Sequence, residues 1–411
     1  MLYHDLETHS PEERQARQWQ AIRTLLKKAA KGSGEFRTRL DRAGLTLRDL
    51  DSLTAFSALP PLRKKELISL QAERGLDWLL TCKPGKLRRI YQSPGPIFDP
   101  EGAQADYWGW AEGFFAAGFR SGDLVQMTFS YHLTPAGLML EEPLRAIGCA
   151  VIPAGPGNTE VQVELMRRLP VTGFVGMASY LKVIGEKARS LGLDLRTDLS
   201  IRTAFVAAER LPEALRLEVE ELFGCTVRQG YGTADVGCIA YECEQPRGMH
   251  LSSRAYVEIC DPATGQPLPL GETGEVVVTP FTREYPLLRF ATGDLSSLIE
   301  APCPCGRTSL RLDGIKGRAD DTAKVKGQFI YPAQAAQVAA QFPQIAAWQI
   351  VISNPGGKDR IAVRLALSGG IDAGAFQAAF QALLKLKPEV QVLPADGLAQ
   401  DARRLVDERS F

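Results

Sequence analysis

The sequence has no excess of charge of either sign and no long apolar run. Its 48 Lys and Arg residues balance 48 Asp and Glu residues over a chain of 411 residues. Proteins that bind nucleic acid or anionic membranes usually carry clustered positive charge, so neither partner is indicated. No uninterrupted apolar stretch approaches the roughly 20 residues that a membrane-spanning helix needs. The start, MLYHDLETHSPEER, lacks the apolar core of a secretory signal. We therefore expect a cytoplasmic protein.

Histidine is also scarce, and no repeat or low-complexity tract is present. With four histidines, little room is left for a Ser-His-Asp arrangement, and no motif suggests one. The eight cysteines stand in a chain without a secretory signal. They are therefore expected to be thiols or metal ligands rather than disulfides.

The length predicts two domains, or three lobes, rather than one core. The first helix has a clear start, because Ser10 can act as the N-cap, Pro11 suits the first helical position and Glu13 completes a capping box. Helical spacing of apolar residues continues to Gly32, which ends the run.

From residue 120 onward, short apolar strands alternate with helical stretches. The predicted strands are DLVQMTF, CAVIPAG, GFVGMAS, TAFVAAE and CTVRQGYG. This alternation predicts parallel strands with crossover helices, an α/β layered sheet. Ligands of such sheets gather at the carboxyl ends of the strands.

The crossover helices vanish after about residue 254, where proline- and glycine-rich turns predict an antiparallel sheet or small barrel. From residue 318 the tail predicts a separate α+β unit, with strands WQIVIS and RIAVRLALS and a helix over about 373–384. The predicted domains are therefore 1–317, containing a β lobe at about 254–317, and 318–411.

Four stretches in collinear order resemble phenylacetate–coenzyme A ligases and their wider adenylate-forming superfamily. They are YGTADVG at 231, GETGEVVVTPFTREYPLLRFATGD at 271, CPCGRT at 303 and GRADDTAKVKG at 317. Weaker similarity in ALPPLRKKEL, VIPAGPGNTEVQ, VAAE and RRLVDER extends it over nearly the whole chain. The second stretch, followed by CPCGRT and GRADD, is a specific signal of this family. The pattern YG-x-x-[DE] by itself would be weak evidence for it.

The resemblance implies an AMP-forming acid–CoA ligase that acts on an aryl or other organic carboxylic acid. The carboxylate attacks the α-phosphorus of ATP and gives an acyl-adenylate and pyrophosphate. A small C-terminal domain then swings about a hinge near Asp320, and the thiol of coenzyme A displaces AMP. Magnesium and cationic groups would meet the charge that builds on the phosphoryl oxygens. A homodimer is one option for the assembly, and the sequence does not fix it.

The resemblance also assigns roles to residues in the first domain. The ring of Tyr231, beside Gly232, would stack on adenine, and Asp235 would ligate magnesium, where relatives usually carry Glu. Asp294 would accept hydrogen bonds from the ribose hydroxyls, and Glu209 matches a glutamate near the acyl pocket. Taken singly, Tyr231 is equally well explained as a core aromatic, and Asp294 as a turn residue.

Two further expectations lie at the start of the second domain. Arg318 would contact ribose or phosphate and is predicted, with Asp235, to act in catalysis. Lys324, together with Lys326, could meet phosphate or coenzyme A. A solvated basic turn explains these two lysines equally well.

The triphosphate loop, SSGTTGKP in the family, is altered in this sequence. Ser93 and Gly95 keep their places, whereas Pro94 and Pro96 remove two N–H donors. Asp99 stands where a lysine is common, so that a negative charge would face the triphosphate. The loop is predicted to keep its ancestral position but to be poorly equipped for holding phosphate.

The catalytic lysine of the family's C-terminal motif is replaced as well, because its position holds Asp401. Two alternatives to the ligase therefore stay open. One is a catalytically degenerate module that binds nucleotide or an acyl ligand, and the other is an acyltransferase that uses a pre-activated acyl group.

A metal site is predicted separately from three cysteines and one histidine: Cys243, His250, Cys303 and Cys305. This Cys₃His composition is typical of structural zinc. The alternative is buried free thiols beside a chance histidine, with Cys260 equally available as a ligand.

Overall fold

The computed structural model describes residues 1–93, 95–319, 323–325, 328–330, 332–399 and 402–409. Within these residues the chain divides into two compact units, Met1–Gly317 and Arg318–Phe411. The predicted α/β fold class is confirmed.

Helices of the N-terminal segment begin the first unit. The longest starts as the capping box predicts, because Glu13 N donates to Ser10 Oγ at 3.2 Å and Ser10 N donates to Glu13 Oε2 at 2.8 Å. Pro11 occupies its first turn, and the helix ends at Gly32. The helices of this segment are Pro11–Gly32, Gly34–Ala43, Leu53–Phe56 and Lys64–Arg74, with 3₁₀ turns at Asp5–Thr8, Leu76–Trp78 and Pro84–Lys86.

A nine-stranded sheet forms the centre of the first unit. Its five neighbouring parallel strands correspond to the five predicted apolar runs, and they are Ala150–Pro153, Leu124–Met127, Gly173–Gly176, Thr203–Val206 and Thr226–Thr233 in spatial order. The sheet continues antiparallel through Gly237–Tyr241, Met249–Leu251, Arg311–Leu312 and Leu298–Ile299.

Helices precede or connect the parallel strands of this sheet, and their apolar sides are buried. They are Ala111–Ala117, Ala136–Ile147, Thr159–Arg168, Ala178–Ser190 and Glu213–Phe223. Each crossover helix returns the chain to the same edge, so the carboxyl ends of the parallel strands face one side.

A second sheet contains the predicted antiparallel lobe. Ala255–Cys260, Gly274–Pro280 and Phe290–Ser296 pair antiparallel, and Leu62–Arg63 adds a parallel edge strand to Phe290–Ser296. This edge strand brings the N-terminal helical segment against the lobe, a contact that connects sequence positions more than two hundred residues apart. A separate hairpin joins Arg89–Ser93 to Ile97–Glu101.

The second unit is α+β. Its four-stranded sheet has the order Glu389–Pro394, Arg360–Leu367, Ile345–Ser353 and Leu405–Asp407, with the central pair antiparallel and both outer pairs parallel. The remaining elements are the strand Gly317–Arg318 at the boundary, the hairpin of Ala323–Val325 and Gln328–Ile330, the helices Pro332–Ala339 and Ala373–Leu384, and the 3₁₀ turn Pro355–Gly357.

Candidate functional site

Tyr231 and Asp294 come from different sheets and meet through a hydrogen bond. Tyr231 lies near the end of Thr226–Thr233, and its hydroxyl donates to Asp294 Oδ2 at 2.8 Å. The same hydroxyl lies 3.2 Å from Thr292 Oγ1. Both side chains are half-buried. The fold thus brings two of the motifs together at one place.

Gly232 follows Tyr231 at a position that excludes a side chain. A Cβ atom there would lie 2.2 Å from the carbonyl oxygen of Gly237 on the neighbouring strand. The pairing register shifts between Tyr231 and Gly232. Such irregularities re-aim a side chain, and here they turn Tyr231 toward the second sheet.

A buried ion pair supports the strand that carries Tyr231. Arg216 donates two hydrogen bonds to Glu242, of 2.8 and 2.7 Å, and a third to the carbonyl of Val227 at 2.7 Å. Glu242 also accepts from the backbone N–H and side-chain amide of Gln229, each at 2.9 Å. Because every charged group has partners, the network fixes the strand two residues before Tyr231.

Asp235, the predicted magnesium ligand, is 2 % exposed. Its Oδ2 lies 2.9 Å from Nζ of Lys64, whereas Oδ1 has no hydrogen-bond partner among the described residues. Sequence reasoning missed Lys64. A signal was present, because Lys64 and Lys65 begin a helix. A positive charge at a helix N-terminus is unfavourable unless an acidic partner compensates for it.

The altered loop forms the turn of the hairpin between Arg89–Ser93 and Ile97–Glu101, although Pro94 lies outside the described residues. Gln71 binds both backbone groups of Phe98. The N–H of Phe98 donates to Gln71 Oε1 at 2.7 Å, and Gln71 Nε2 donates to the carbonyl of Phe98 at 2.9 Å. This N–H group is therefore already bound to protein.

The expectation that the charge of Asp99 would face a triphosphate stays a prediction, and the structure shows that this residue lies inside the fold. Its side chain is 0 % exposed, whereas that of Phe98 is 42 % exposed. The reason is the alternation of side chains along a strand, which turns Phe98 outward and Asp99 inward. Burial, and then the charge of Asp235, raise the pKa of the Asp99 carboxyl.

Ser93 and Gly95 flank the turn of the same hairpin. Ser93 is buried, and its Oγ has no hydrogen-bond partner among the described residues. Gly95 has φ of 144°, a conformation that favours glycine. The residues on either side of the turn pair directly, with Ser93 opposite Ile97, and the ancestral position of the loop stays a prediction.

Glu209 lies beside the N-terminus of the helix Ala178–Ser190. It accepts hydrogen bonds from both the N–H and the hydroxyl of Ser179, each at 2.8 Å. The residue before it, Ala208, has φ of 71°, a strained conformation for a residue with a side chain. Glu209 thus follows a strained turn at the carboxyl end of the strand Thr203–Val206.

Two of the predicted residues of the second unit, Arg318 and Lys324, lie within the described ranges. Arg318 lies in the strand Gly317–Arg318 and is half-buried. The backbone of Lys324 belongs to the strand Ala323–Val325. The expectations for Asp320, Lys326 and Asp401 fall on residues outside the described ranges.

The Cys₃His set comes together, since the ligand atoms of Cys243, His250, Cys303 and Cys305 all lie within 4.8 Å of one another. Cys243 Sγ is 3.7 Å from Cys303 Sγ, and Cys305 Sγ is 3.4 Å from His250 Nε2. Cys260, the alternative ligand, instead lies 3.3 Å from Nη2 of Arg289.

In this Cys/His cluster, burial raises the pKa of Cys243 to about 12, whereas the pKa values of His250 and Cys305 shift in the direction that favours metal binding. Burial, followed by the charges of Arg307 and Arg311, lowers the pKa of His250 to about 4. Its Nδ1 lies 3.1 Å from Ser309 Oγ, which leaves the neutral Nε2 directed at the thiols. Burial opposes ionisation of Cys305, but the N–H of Arg307 and neighbouring thiols outweigh it and lower its pKa.

Comparisons with known proteins agree with the geometry. The family model of AMP-binding enzymes matches residues 119–280. Phenylacetate–coenzyme A ligase of Thermus thermophilus is 30% identical over 382 residues, covering 90% of this chain and 85% of that protein. The chain belongs to the phenylacetate–coenzyme A ligase family. The predicted family is thereby confirmed, and with it the class of AMP-forming acid–CoA ligases.

Two further similarities extend over most of the chain. Phenylacetate–coenzyme A ligase of Escherichia coli is 30% identical over 376 residues, covering 88% of this chain and 84% of that enzyme. The crystal structure of a 2-hydroxyisobutyryl-CoA ligase with 2-HIB-AMP and CoA superposes with a TM-score of 0.88 at 24% identity, covering 98% and 91% of the two chains. The similarity to this crystal structure shows the fold alone. Within the residues described here, no helix has the length and apolarity needed to span a bilayer.

Proposed function

We propose that this member of the family activates an organic carboxylic acid with ATP and transfers the acyl group to coenzyme A. The observation that carries the proposal is the contact between Tyr231 and Asp294, at 2.8 Å. An aromatic ring beside a carboxylate offers a stacking surface for adenine and an acceptor for ribose hydroxyls. Family membership supplies the reaction, in which an acyl-adenylate forms and a thiol then displaces AMP.

Asp235 is the proposed magnesium ligand, and its surroundings fit that role. Its Oδ1 is buried without a hydrogen-bond partner among the described residues, and carboxylate oxygen is a ligand that magnesium prefers. When bound, the ion withdraws charge from phosphoryl oxygens. Lys64 would hold the other carboxylate oxygen of Asp235 in place, at 2.9 Å.

The remaining roles follow the division of the chain. We propose that Met1–Gly317 holds the adenosine and acyl groups, with Glu209 at the acyl end. Arg318, at the start of the second unit, would contact ribose or phosphate, and Lys324 would meet phosphate or coenzyme A. Asp320 is the proposed hinge. A homodimer and a cytoplasmic location stay predictions.

The Cys/His cluster is proposed to bind zinc in a structural role. The four donors would complete a tetrahedral site, which leaves no open position for substrate. Cys243 follows the central strand Gly237–Tyr241, whereas Cys303 and Cys305 belong to the loop before Arg311–Leu312. A zinc ion would join these two segments.

A second candidate function is acyl transfer to a thiol from a pre-formed adenylate. The observation that favours it is the hairpin, because Gln71 already binds the N–H of Phe98 at 2.7 Å and Asp99 brings a carboxyl where relatives carry lysine. Thiolation does not use the triphosphate loop, so this half of the reaction would tolerate both changes.

The test is ATP–pyrophosphate exchange over a panel of carboxylic acids, run beside thioester formation from synthetic acyl-adenylates and coenzyme A. Exchange that depends on an acid supports the ligase. Thioester formation without exchange supports the transferase, and binding of AMP with neither reaction supports the nucleotide-binding module.

Asp401→Lys is the informative variant, with the exposed Asp396→Lys as a control of equal charge change. A gain of ATP–pyrophosphate exchange in Asp401→Lys, without a gain in Asp396→Lys, would show that the missing cation limits adenylation. A ligase that is already fully active would instead show no gain.

A further inference from the structure

A buried group of charged and polar residues lies next to the altered loop, and the proposed function assigns a role to Asp235 alone among its buried members. Its members are Asp99, Asp235 and Ser93, which are 0 %, 2 % and 6 % exposed. Lys64 lies at one side of the group, 2.9 Å from Asp235 Oδ2. With both carboxyls ionised, these side chains carry two negative charges and one positive charge.

Four oxygen atoms of this group lack hydrogen-bond partners among the described residues. They are both carboxylate oxygens of Asp99, Oδ1 of Asp235 and Oγ of Ser93. The hydroxyl and N–H of Ser93 lie near enough to Asp99 to lower its pKa, but neither has the geometry of a hydrogen bond. Buried oxygens are rarely left in this state, because each loses its hydration without compensation.

Among the described residues, the surrounding side chains do not supply the hydrogen bonds that these oxygens lack. Tyr285 is close enough for Asp99 and Asp235 to raise the pKa of its hydroxyl, after the larger effect of burial. Its hydroxyl oxygen accepts a hydrogen bond from Gln71 Nε2 at 3.1 Å, and the hydroxyl donates to neither Asp99 nor Oδ1 of Asp235. Gln71 in turn uses its remaining groups on the backbone of Phe98.

We propose that Asp99, Asp235 and Ser93 hold a divalent cation, of the Mg²⁺ or Mn²⁺ type, before any nucleotide binds. Hard divalent cations of this kind prefer carboxylate and hydroxyl oxygens. Asp235 would bind the cation through Oδ1 and would keep its ion pair with Lys64 through Oδ2. The distinguishing ligand is Asp99, which this chain carries in place of the usual loop lysine.

The charge of the site explains what such a cation would do, and this step rests on the proposed ligase function. A lysine at position 99, with Lys64 and Asp235, would leave one net positive charge facing a polyphosphate. With Asp99 the same three residues carry one net negative charge. A divalent cation reverses it to one net positive charge and so restores attraction toward the nucleotide.

The test is a titration of the zinc-loaded full-length protein with Mn²⁺ in the absence of nucleotide, followed by electron paramagnetic resonance. We expect one saturable site, which Asp99→Asn weakens by at least about tenfold, the usual scale for loss of a group that supports a metal site. Ser93→Ala is expected to weaken it less.

Two control variants locate the site. Asp194→Asn changes an exposed carboxylate outside the group and is expected to leave Mn²⁺ binding unchanged. Glu112→Gln alters the second acidic cluster, formed by His4, Glu7 and Glu112, and is likewise expected to bind Mn²⁺ as wild type does.

Absence of Mn²⁺ binding without nucleotide, or equal binding by wild type and Asp99→Asn, would overturn the inference. Circular dichroism verifies that Asp99→Asn is folded, and Ser93→Ala provides an independent variant if it is not. Mn²⁺ binding without pyrophosphate exchange would leave the cation site standing and refute adenylation. Pyrophosphate exchange by a protein that binds Mn²⁺ only together with ATP would support adenylation and refute the nucleotide-independent cation site.

Discussion

The hydroxyl of Tyr231 donates a hydrogen bond to Asp294 across 63 positions of sequence, and the two residues reach each other from separate sheets. The contact depends on the pairing of Gly274–Pro280 with Phe290–Ser296 and on the irregular pairing after Tyr231. The second sheet therefore contributes directly to the candidate nucleotide site and is more than a support for it.

Asp294→Asn is expected to reduce the affinity for AMP by about ten- to a hundredfold. The substitution keeps the shape of the side chain but removes the charge that strengthens hydrogen bonds from ribose hydroxyls, a difference of about 1.5–3 kcal/mol. Isothermal titration calorimetry with AMP measures the effect. Asp313→Asn, an exposed carboxylate on the same lobe, is the control, and equal affinity of the two variants would contradict the assignment.

Cys303→Ser is expected to abolish the stoichiometric zinc of the protein, which should contain about one ion per chain. Elemental analysis measures the metal, and a lower thermal unfolding midpoint is expected in the same variant. Cys82→Ser, which changes a half-buried thiol outside the Cys/His cluster, should retain both the zinc and the midpoint. Wild-type protein with far less than stoichiometric zinc would reject the metal site.

Glu242→Gln is expected to destabilise the first unit by about 3–5 kcal/mol, because it leaves the guanidinium of Arg216 buried with half of its counter-charge removed. Denaturant unfolding measures the change. Glu164→Gln removes a carboxylate from an exposed arginine pair, and we expect no measurable shift there. Similar midpoints for the two variants would show that the buried pair does not stabilise the strand of Tyr231.

Gln71→Leu is expected to speed amide hydrogen exchange at Phe98, because the N–H loses its acceptor while the apolar volume is roughly kept. Exchange followed by mass spectrometry on peptides covering Ile97–Glu101 would detect the change. Gln15→Leu, on an exposed face of the first helix, serves as the control. Unchanged exchange in Gln71→Leu would mean that the bond to Gln71 does not protect the N–H of Phe98.

Local patterns in the sequence were sufficient for much of the fold. The capping residues Ser10 and Glu13 determined the start of the first helix, and the helix predicted over about 373–384 is found at Ala373–Leu384. Apolar strands separated by helical stretches are a short-range signal, and so they could be recognised without knowledge of the fold.

The interactions of the candidate site needed the structure, because they join distant parts of the chain. The pairing of Leu62–Arg63 with Phe290–Ser296 and the ion pair of Lys64 with Asp235 leave no periodic pattern in the sequence. The inward direction of Asp99 depends on the hairpin register, in which Tyr91 lies opposite Asp99 and Ser93 opposite Ile97. A one-residue shift would have turned it outward.

Arg289 connects the N-terminal helical segment to the second sheet. Its guanidinium is 0 % exposed and lies 3.0 Å from Glu258 Oε2, and it donates to the carbonyls of Ser57 and Leu59 at 2.7 and 2.5 Å. A shortened protein that starts after residue 60 would strand this cation in the interior with two acceptors missing. Expression of the first unit by itself for crystallisation should therefore retain the leading helices, even though the family model matches only from residue 119.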